Sequence, residues 1–187
     1  ADEARRVLDA GGWVPGPDGV RVKDGQRASF VVYGSQGEAN RQMLESMQAD
    51  LRRIGIEMRI QLWDGTVVWG RLATQEFDAF IMSYPYVTAS DAFSLYFASA
   101  NRPTPNRMNW VDATTDEALV QSRQAVDPQV RANAIAQAQR IIAENNVWLP
   151  LAHEQLWVAS AQRVEGVRAH CIYGAALYKG LDIRLTR

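Results

Sequence analysis

The chain has 187 residues, of which 47% are hydrophobic and six are tryptophan, and its formal net charge is −1. This composition excludes an intrinsically disordered chain, and the mixed, nearly neutral charge pattern argues against a nucleic-acid partner or a membrane-surface helix. No apolar run approaches the ~20 residues of a membrane span, and the single cysteine, Cys171, excludes an internal disulfide.

The first part of the chain is predicted to form a helix and then a hairpin. Glu3 to Ala10 forms the helix, and because the chain begins inside it we expect a piece of a longer polypeptide. Val20 to Lys23 and Ala28 to Tyr33 are predicted strands joined by an Asp24-Gly25 turn.

A parallel strand-helix-strand unit is predicted next. Glu38 to Ile54 reads as an amphipathic helix that ends at Gly55 in a left-handed conformation, and Ile56 to Leu62 alternates like a half-buried strand. The apolar stripe of the helix consists of Met43, Met47, Leu51 and Ile54. A second crossover helix over Thr66 to Thr74 leads into a third strand, Phe77 to Met82, which is dense enough to be buried on both faces.

The loop after this third strand is the predicted centre of the molecule. It carries Tyr84, Tyr86, Thr88 and Ser90 around a proline, and Asp91 is the predicted N-cap of the helix that follows. Open α/β sheets place ligands at the carboxyl ends of their strands, so the loop is interpreted as one wall of a ligand pocket. The alternative is an ordinary connection whose tyrosines pack for stability.

The remainder of the chain is predicted to be mainly helical. Thr114 and Glu117 predict a capping box for a helix to about Ala125, and Asp127-Pro128 starts a second helix that packs against the first. Strands are predicted last, at Val147 to Ala152, Leu156 to Ala159 and Ile183 to Leu185.

The sequence offers no set of catalytic residues. The two histidines are His153, which is interpreted as a structural histidine, and His170. His170 and the adjacent Cys171 would point to opposite faces of a strand, so they do not form a nucleophile-base pair by themselves. No nucleophile elbow, phosphate-binding loop or zinc-protease motif is present, no carboxylate pair stands out, and no cofactor or metal is predicted.

Side chains typical of a small-molecule pocket do accumulate near the predicted loops. They comprise aromatic residues and two directional polar residues, which are Tyr84, Tyr86, Trp63, Trp69, Trp110, Arg107 and Asn109. The alternative places Trp69, and with it Trp63, in the core and makes Arg107 a solvated surface residue. We favour the core for Trp69.

Four stretches of the sequence occur in an order that resembles one protein family. They are VLDAGGWVPGPDGVRVKDGQRASFVV, MLESMQADLRRIGIEMRIQLWD, EFDAFIMSYPYVTASDAF, and the segment from NWVDATTDEALV to NNVWLPLAH. The first resembles the entry to the carboxy-terminal lobe of the periplasmic dipeptide, oligopeptide and nickel-binding proteins, or bacterial extracellular solute-binding proteins of family 5. The second resembles the helix and strand that follow in that family, and the last two continue its pattern, so the resemblance covers almost the whole chain.

The resemblance implies an α/β fold, a type II periplasmic-binding-protein lobe with a mainly parallel central sheet flanked by helices. Residues 1–187 would form a single carboxy-terminal lobe, with 160–187 returning toward a missing amino-terminal lobe of the same polypeptide. The whole protein would be the solute-binding component of an ABC importer, not an enzyme. It would be periplasmic or lipid-anchored and would deliver a solute to permease subunits in the membrane.

Ligand contacts are predicted from eight residues, which are Tyr84, Tyr86, Thr88, Ser90, Arg107, Asn109, Trp63 and Trp110. The resemblance implies those of Tyr84 and of the loop from Tyr86 to Ser90, and the others are predicted from their residue types in or next to loops. Tyr84 stands where relatives have a pocket tryptophan. The aspartate with which relatives pair a peptide amino terminus is absent from the loop here, which favours a modified peptide, sugar, opine or metal chelate over a free-amine peptide. Two rival functions stay open, a ligand-sensing domain of a transcription regulator and an α/β hydrolytic enzyme.

Overall fold

The computed structural model describes residues 1–83, 88–153, 155, 157–167 and 183–186. Its contacts divide the chain into two compact units, Ala1–Ser83 and Tyr84–Arg187. In the first unit, helix α1 (Asp2–Ala10) precedes a small antiparallel sheet of strands β1 (Val14–Pro15), β2 (Arg21–Lys23) and β3 (Gln26–Arg27). No helix in the described ranges is long and apolar enough to cross a membrane.

The hairpin prediction is correct about the turn and wrong about one strand. Asp24 and Gly25 adopt φ values of 52° and 78°, the left-handed conformations that a two-residue hairpin turn requires. The turn joins β2 to the short β3, whereas the longer strand β4 (Ser29–Ser35) belongs to a different sheet. The apolar run of β4 is buried better between two helix layers than in an exposed hairpin.

The central sheet is parallel, as predicted. Strands β4, β5 (Glu57–Trp63) and β6 (Ala79–Phe80) lie in the order β5-β4-β6, connected by helices α2 (Glu38–Arg53) and α3 (Gly65–Ala73). Both predicted crossover helices and all three predicted strands are therefore present. The third strand is shorter than the predicted Phe77 to Met82, and its two residues are half-buried, so the prediction of burial on both faces is wrong. Gly55 ends the α2 turn at φ 83°, also as predicted.

Each face of this sheet has its own hydrophobic core. Val32 and Met58 pack with Leu44 of α2 on one face, and Tyr33 packs with Val68 and Leu72 of α3 on the other. Since adjacent residues of a strand point to opposite faces, Val32 and Tyr33 commit β4 to burial on both sides. The predicted stripe of α2 omitted Leu44, which is its one buried residue.

Arg21 connects three segments of the first unit through a buried guanidinium, and no sequence pattern predicts this. Its side chain is only 7% exposed and pairs with Asp9 at 2.6 Å. It also donates to the carbonyl oxygens of Trp13 at 2.5 Å and Ile54 at 2.8 Å. Helix α1, the antiparallel sheet and the turn after α2 are thus held by one side chain.

The described part of the second unit is mainly helical. Helices α4 (Ala89–Phe97), α5 (Ala113–Gln124) and α6 (Pro128–Glu144) follow one another, with a single 3-10 turn, Ser99–Asn101, after α4. Phe97, Leu119, Ala138 and Ile142 form a buried core at their junction. A two-stranded antiparallel ribbon of β7 (Val164–Glu165) and β8 (Arg184–Leu185) completes the unit, so the predicted strand near Ile183 is confirmed.

Two predicted helix caps are wrong by a few residues. Thr88, not Asp91, is the N-cap of α4, and Asp91 contributes its backbone N–H. Asp112, not Thr114, is the N-cap of α5, and its carboxylate accepts the N–H of Thr115. By contrast, Asp127 caps α6 as predicted, with proline in the first turn.

Three other predictions for described residues are wrong. The predicted strand Val147 to Ala152 is absent, and the described residues of the predicted strand Leu156 to Ala159, which are 157–159, form no strand either. Leu149 and Trp157 in these two segments are 69% and 86% exposed. Trp69, assigned to the core, is 44% exposed. His153 is exposed as well, which removes its interpretation as a buried structural histidine. His170 and Cys171 lie outside the described residues.

Candidate functional site

The first part of the candidate site is the carboxyl edge of the parallel sheet. Strand β4 ends at Ser35, β5 ends at Trp63, and residues 81–83 leave the sheet after β6. The backbone N–H of Gln36 donates to the carbonyl of Trp63 at 2.7 Å, which ties the ends of β4 and β5 together. Tyr84 and Tyr86, the predicted aromatic wall, lie in the following segment and outside the described residues.

Trp63 contacts one aromatic and one cationic neighbour at this edge. Its ring meets Tyr33 edge-on with centroids 6.1 Å apart, and the guanidinium carbon of Arg71 lies 4.5 Å from the ring centroid. The indole Nε1 is buried and has no hydrogen-bond partner among the described residues. Trp63 is half-buried and packs against the core, as the core interpretation predicts, and its contact with a ligand stays a prediction.

Asp64, the next residue, acts as a helix cap. Its carboxylate accepts the backbone N–H of Thr66 at 2.9 Å and the hydroxyl of Thr66 at 2.7 Å. These two hydrogen bonds favour the ionised form and lower the pKa of Asp64 below its ordinary value. The negative charge at this edge is therefore engaged within α3.

In the second unit, Thr88 and Ser90 stand at the beginning of α4 with their hydroxyls already engaged. Thr88 Oγ1 accepts the N–H of Asp91 at 3.1 Å and donates to the carboxylate of Asp91 at 2.6 Å. Ser90 Oγ lies 2.8 Å from Ser122 Oγ, which itself donates to the carbonyl of Leu119. Each hydroxyl has thus used its proton and retains acceptor capacity only.

Asn106 organises the loop that carries the other predicted residues. It is fully buried, and its amide nitrogen donates to the carbonyls of Ala98 at 3.1 Å and Trp110 at 2.9 Å. Its amide oxygen accepts the N–H of Trp110 at 3.2 Å. An isolated asparagine in a proline-rich loop carries no periodic signal, so sequence reasoning missed it.

This loop places its three predicted residues differently. Arg107 is 8% exposed, so the interpretation of a solvated surface arginine is wrong. Asn109 is exposed and adopts a left-handed φ of 53°. Trp110 packs against the helical core and donates from Nε1 to Thr115 Oγ1 at 3.3 Å, so its polar atom serves the fold.

The described residues hold no cluster of histidine, cysteine, aspartate or glutamate that could bind a metal ion. A shallow groove along α5 is lined by none of the eight predicted residues; its lining includes Glu117, Gln121 and Gln137. The predicted site residues that the structure describes therefore lie at three places. The sheet edge belongs to the first unit, and the start of α4 and the loop around Asn106 belong to the second.

Comparison with known proteins adds independent information. Residues 1–106 match the family model described as "Bacterial extracellular solute-binding proteins, family 5 Middle". Protein XP55 of Streptomyces lividans is 32% identical over 169 residues, which are 88% of this chain and 30% of that protein.

Two solved structures share the fold along nearly the whole chain. The oligopeptide-binding protein AppA of Bacillus subtilis, in complex with a nonapeptide, has a TM-score of 0.79 at 21% identity, covering 100% of this chain and 37% of that one. The dipeptide-binding protein of Pseudoalteromonas sp. SM9913, in complex with Met-Leu, has a TM-score of 0.78 at 22% identity, covering 99% and 35%. The predicted α/β fold of type II periplasmic binding proteins is confirmed, and the chain spans about a third of these relatives' length.

Proposed function

Because the chain belongs to family 5 of the bacterial extracellular solute-binding proteins, we propose that it is part of the receptor of an ABC importer. The family match over residues 1–106 carries this proposal. Members of the family are transport components and not enzymes, which agrees with the lack of a catalytic set in the sequence. In the complete protein, a second lobe closes over the solute, and the loaded receptor docks on permease subunits.

The proposed location follows from the same relationship. The family is extracellular by description, and we place the complete protein in the periplasm or on a lipid anchor outside the cell. The present chain would supply one lobe, residues 1–187. The predicted return of residues 160–187 toward the other lobe concerns a segment of which 168–182 and 187 lie outside the described residues.

The proposed ligand is a small polar, peptide-like solute. Two solved relatives are complexes with a nonapeptide and with Met-Leu, which supports a peptide-like ligand here. The loop from Tyr84 to Ser90 contains no carboxylate, so a free ammonium would lie in it without a counter-charge. A blocked peptide, opine, sugar or metal chelate therefore fits this loop better than a free-amine peptide.

The geometry defines what Thr88 and Ser90 offer to a solute. Both hydroxyls donate their protons inside the second unit, to Asp91 and toward Ser122 respectively. What remains are oxygen lone pairs, which accept hydrogen bonds from N–H or O–H groups of a ligand. The amides of a peptide backbone and the hydroxyls of a sugar both supply such donors.

The remaining proposed contacts are aromatic or directional. Tyr84, Tyr86 and Trp63 would stack on the solute, Arg107 and Asn109 would hydrogen-bond to it, and Trp110 would complete the wall beside them. Binding energy also comes from closure of the second lobe. We therefore expect the isolated chain to bind its solute with millimolar or weaker affinity, about −4 kcal/mol or less favourable.

Mass spectrometry of the small molecules that co-purify with the full-length protein tests this function. A stoichiometric polar solute of the classes named above is the expected result, and turnover of that solute would contradict a receptor role. Tyr84→Ala and Arg107→Ala should each weaken its binding, whereas Arg123→Ala, at an exposed position of α5, should not. Unchanged affinity in both site variants would refute the assigned contacts.

A further inference from the structure

Arg71 is a charged residue beside the candidate site that the sequence analysis did not single out. It lies in the last turn of α3, two turns after Trp63 along the chain. Side chains of a helix lean toward its amino terminus, and α3 begins at the carboxyl edge of the sheet. The Arg71 side chain therefore runs back toward this edge, where its guanidinium lies 4.5 Å from the Trp63 ring centroid.

The N–H groups of this guanidinium donate to no acceptor in the described part of the protein. Among the described residues, Arg71 makes no ion pair and its side chain makes no hydrogen bond, although the residue is exposed. The carboxylate of Asp64, which directly follows Trp63 at this edge, is engaged by Thr66. Arg5, Arg27, Arg41 and Arg53 in the same unit are all paired with carboxylates.

Stacking on Trp63 gives the charge a defined orientation. A guanidinium packed on an indole face loses side-chain freedom when the protein folds, so less entropy is lost when a ligand binds. Its planar N–H groups match the two oxygens of a carboxylate, which lysine cannot match as well.

We propose that Arg71, held by Trp63, binds a carboxylate group of the transported solute. The inference rests on the proposed receptor function and narrows its ligand to a solute with at least one free carboxylate, such as a peptide with an unblocked carboxyl terminus or an opine. It disfavours neutral sugars as ligands.

Matched acid and amide ligands test the proposal in the full-length protein. The probes are Ala-Ala and N-acetyl-Ala-Ala, each as the free acid and as the carboxy-terminal amide, measured by isothermal titration calorimetry. The wild type should prefer the acids. Arg71→Gln should weaken acid binding by about tenfold or more and leave amide binding unchanged, and Arg71→Lys should fall between the two.

Arg140→Gln is the matched control, because Arg140 is an exposed arginine of α6 in the other unit. It removes one positive charge and should change neither affinity. Equal losses for acid and amide in Arg71→Gln would mean that Arg71 only supports the fold, and no loss would mean that it does not contact the ligand. Either result overturns the proposal, whereas failure of the wild type to bind any of the four probes contradicts the peptide-like ligand itself.

Discussion

Replacing Arg21 with methionine tests how the first unit is held together. Methionine retains most of the buried stem but removes the donors that satisfy the carbonyls of Trp13 and Ile54 and the carboxylate of Asp9. A hydrogen bond from a charged donor contributes about 1.5–3 kcal/mol, and the two carbonyls would lose their donor in a site where the arginine side chain is 7% exposed. We expect the free energy of unfolding to fall by about 3 kcal/mol.

Asp9→Asn is the informative companion variant. The Asp9 side chain is 62% exposed, so solvent screens its charge and the loss should stay below about 1 kcal/mol. Urea denaturation of the 187-residue chain, followed by circular dichroism, measures both changes by linear extrapolation. A loss below about 1 kcal/mol in Arg21→Met, or equal losses in the two variants, would refute the idea that the carbonyl contacts dominate.

Three further predictions concern local structure. Gly55→Ala should lower the free energy of unfolding by ~2 kcal/mol or more in thermal or urea denaturation, because Gly55 has φ +83° and a Cβ there would lie 2.8 Å from the Arg21 side chain. Gly70→Ala should instead stabilise α3 by ~0.5–1 kcal/mol, because a Cβ at this helical position would meet no atom within 4 Å. Asn106→Ala should cost ~3 kcal/mol in the same assay, because three hydrogen bonds of a fully buried side chain are lost. Because the pKa of Asp64 is lowered in the folded state, its ionised carboxylate stabilises the fold above the ordinary carboxyl pKa near ~4, and this stabilisation is lost as the pH falls through the folded-state pKa. The free energies of unfolding of the wild type and of Asp64→Asn should therefore converge in acid. A constant difference between them down to pH ~2 would contradict this.

The helices and sheet strands were predictable where a periodic pattern was long. The helix that ends at Arg53, the alternating strand Glu57–Trp63 and the helix that begins at Pro128 all match their predictions within a few residues. Each of these segments repeats one burial pattern over several turns or pleats, so a local error does not change the assignment.

Predictions failed where several local solutions compete. Thr88 and Asp91 can each cap α4, and in the structure threonine takes the N-cap position while the Asp91 carboxylate accepts the threonine hydroxyl. The apolar run from Val147 to Ala152 resembles a strand, but among the described residues no strand pairs with it. A strand is defined by its partner, and the sequence of one segment does not name the partner.

The sequence by itself determined the α/β class, the parallel order of three strands and the family, because these follow from burial patterns and motif order. Only the tertiary structure decided that Arg21 is buried, that Asn106 holds a loop, and that Arg71 stacks on Trp63. These three side chains contact partners that lie 4 to 33 residues away along the chain. A polar residue's role depends on which groups surround it after folding, and hydrophobic periodicity carries no record of that.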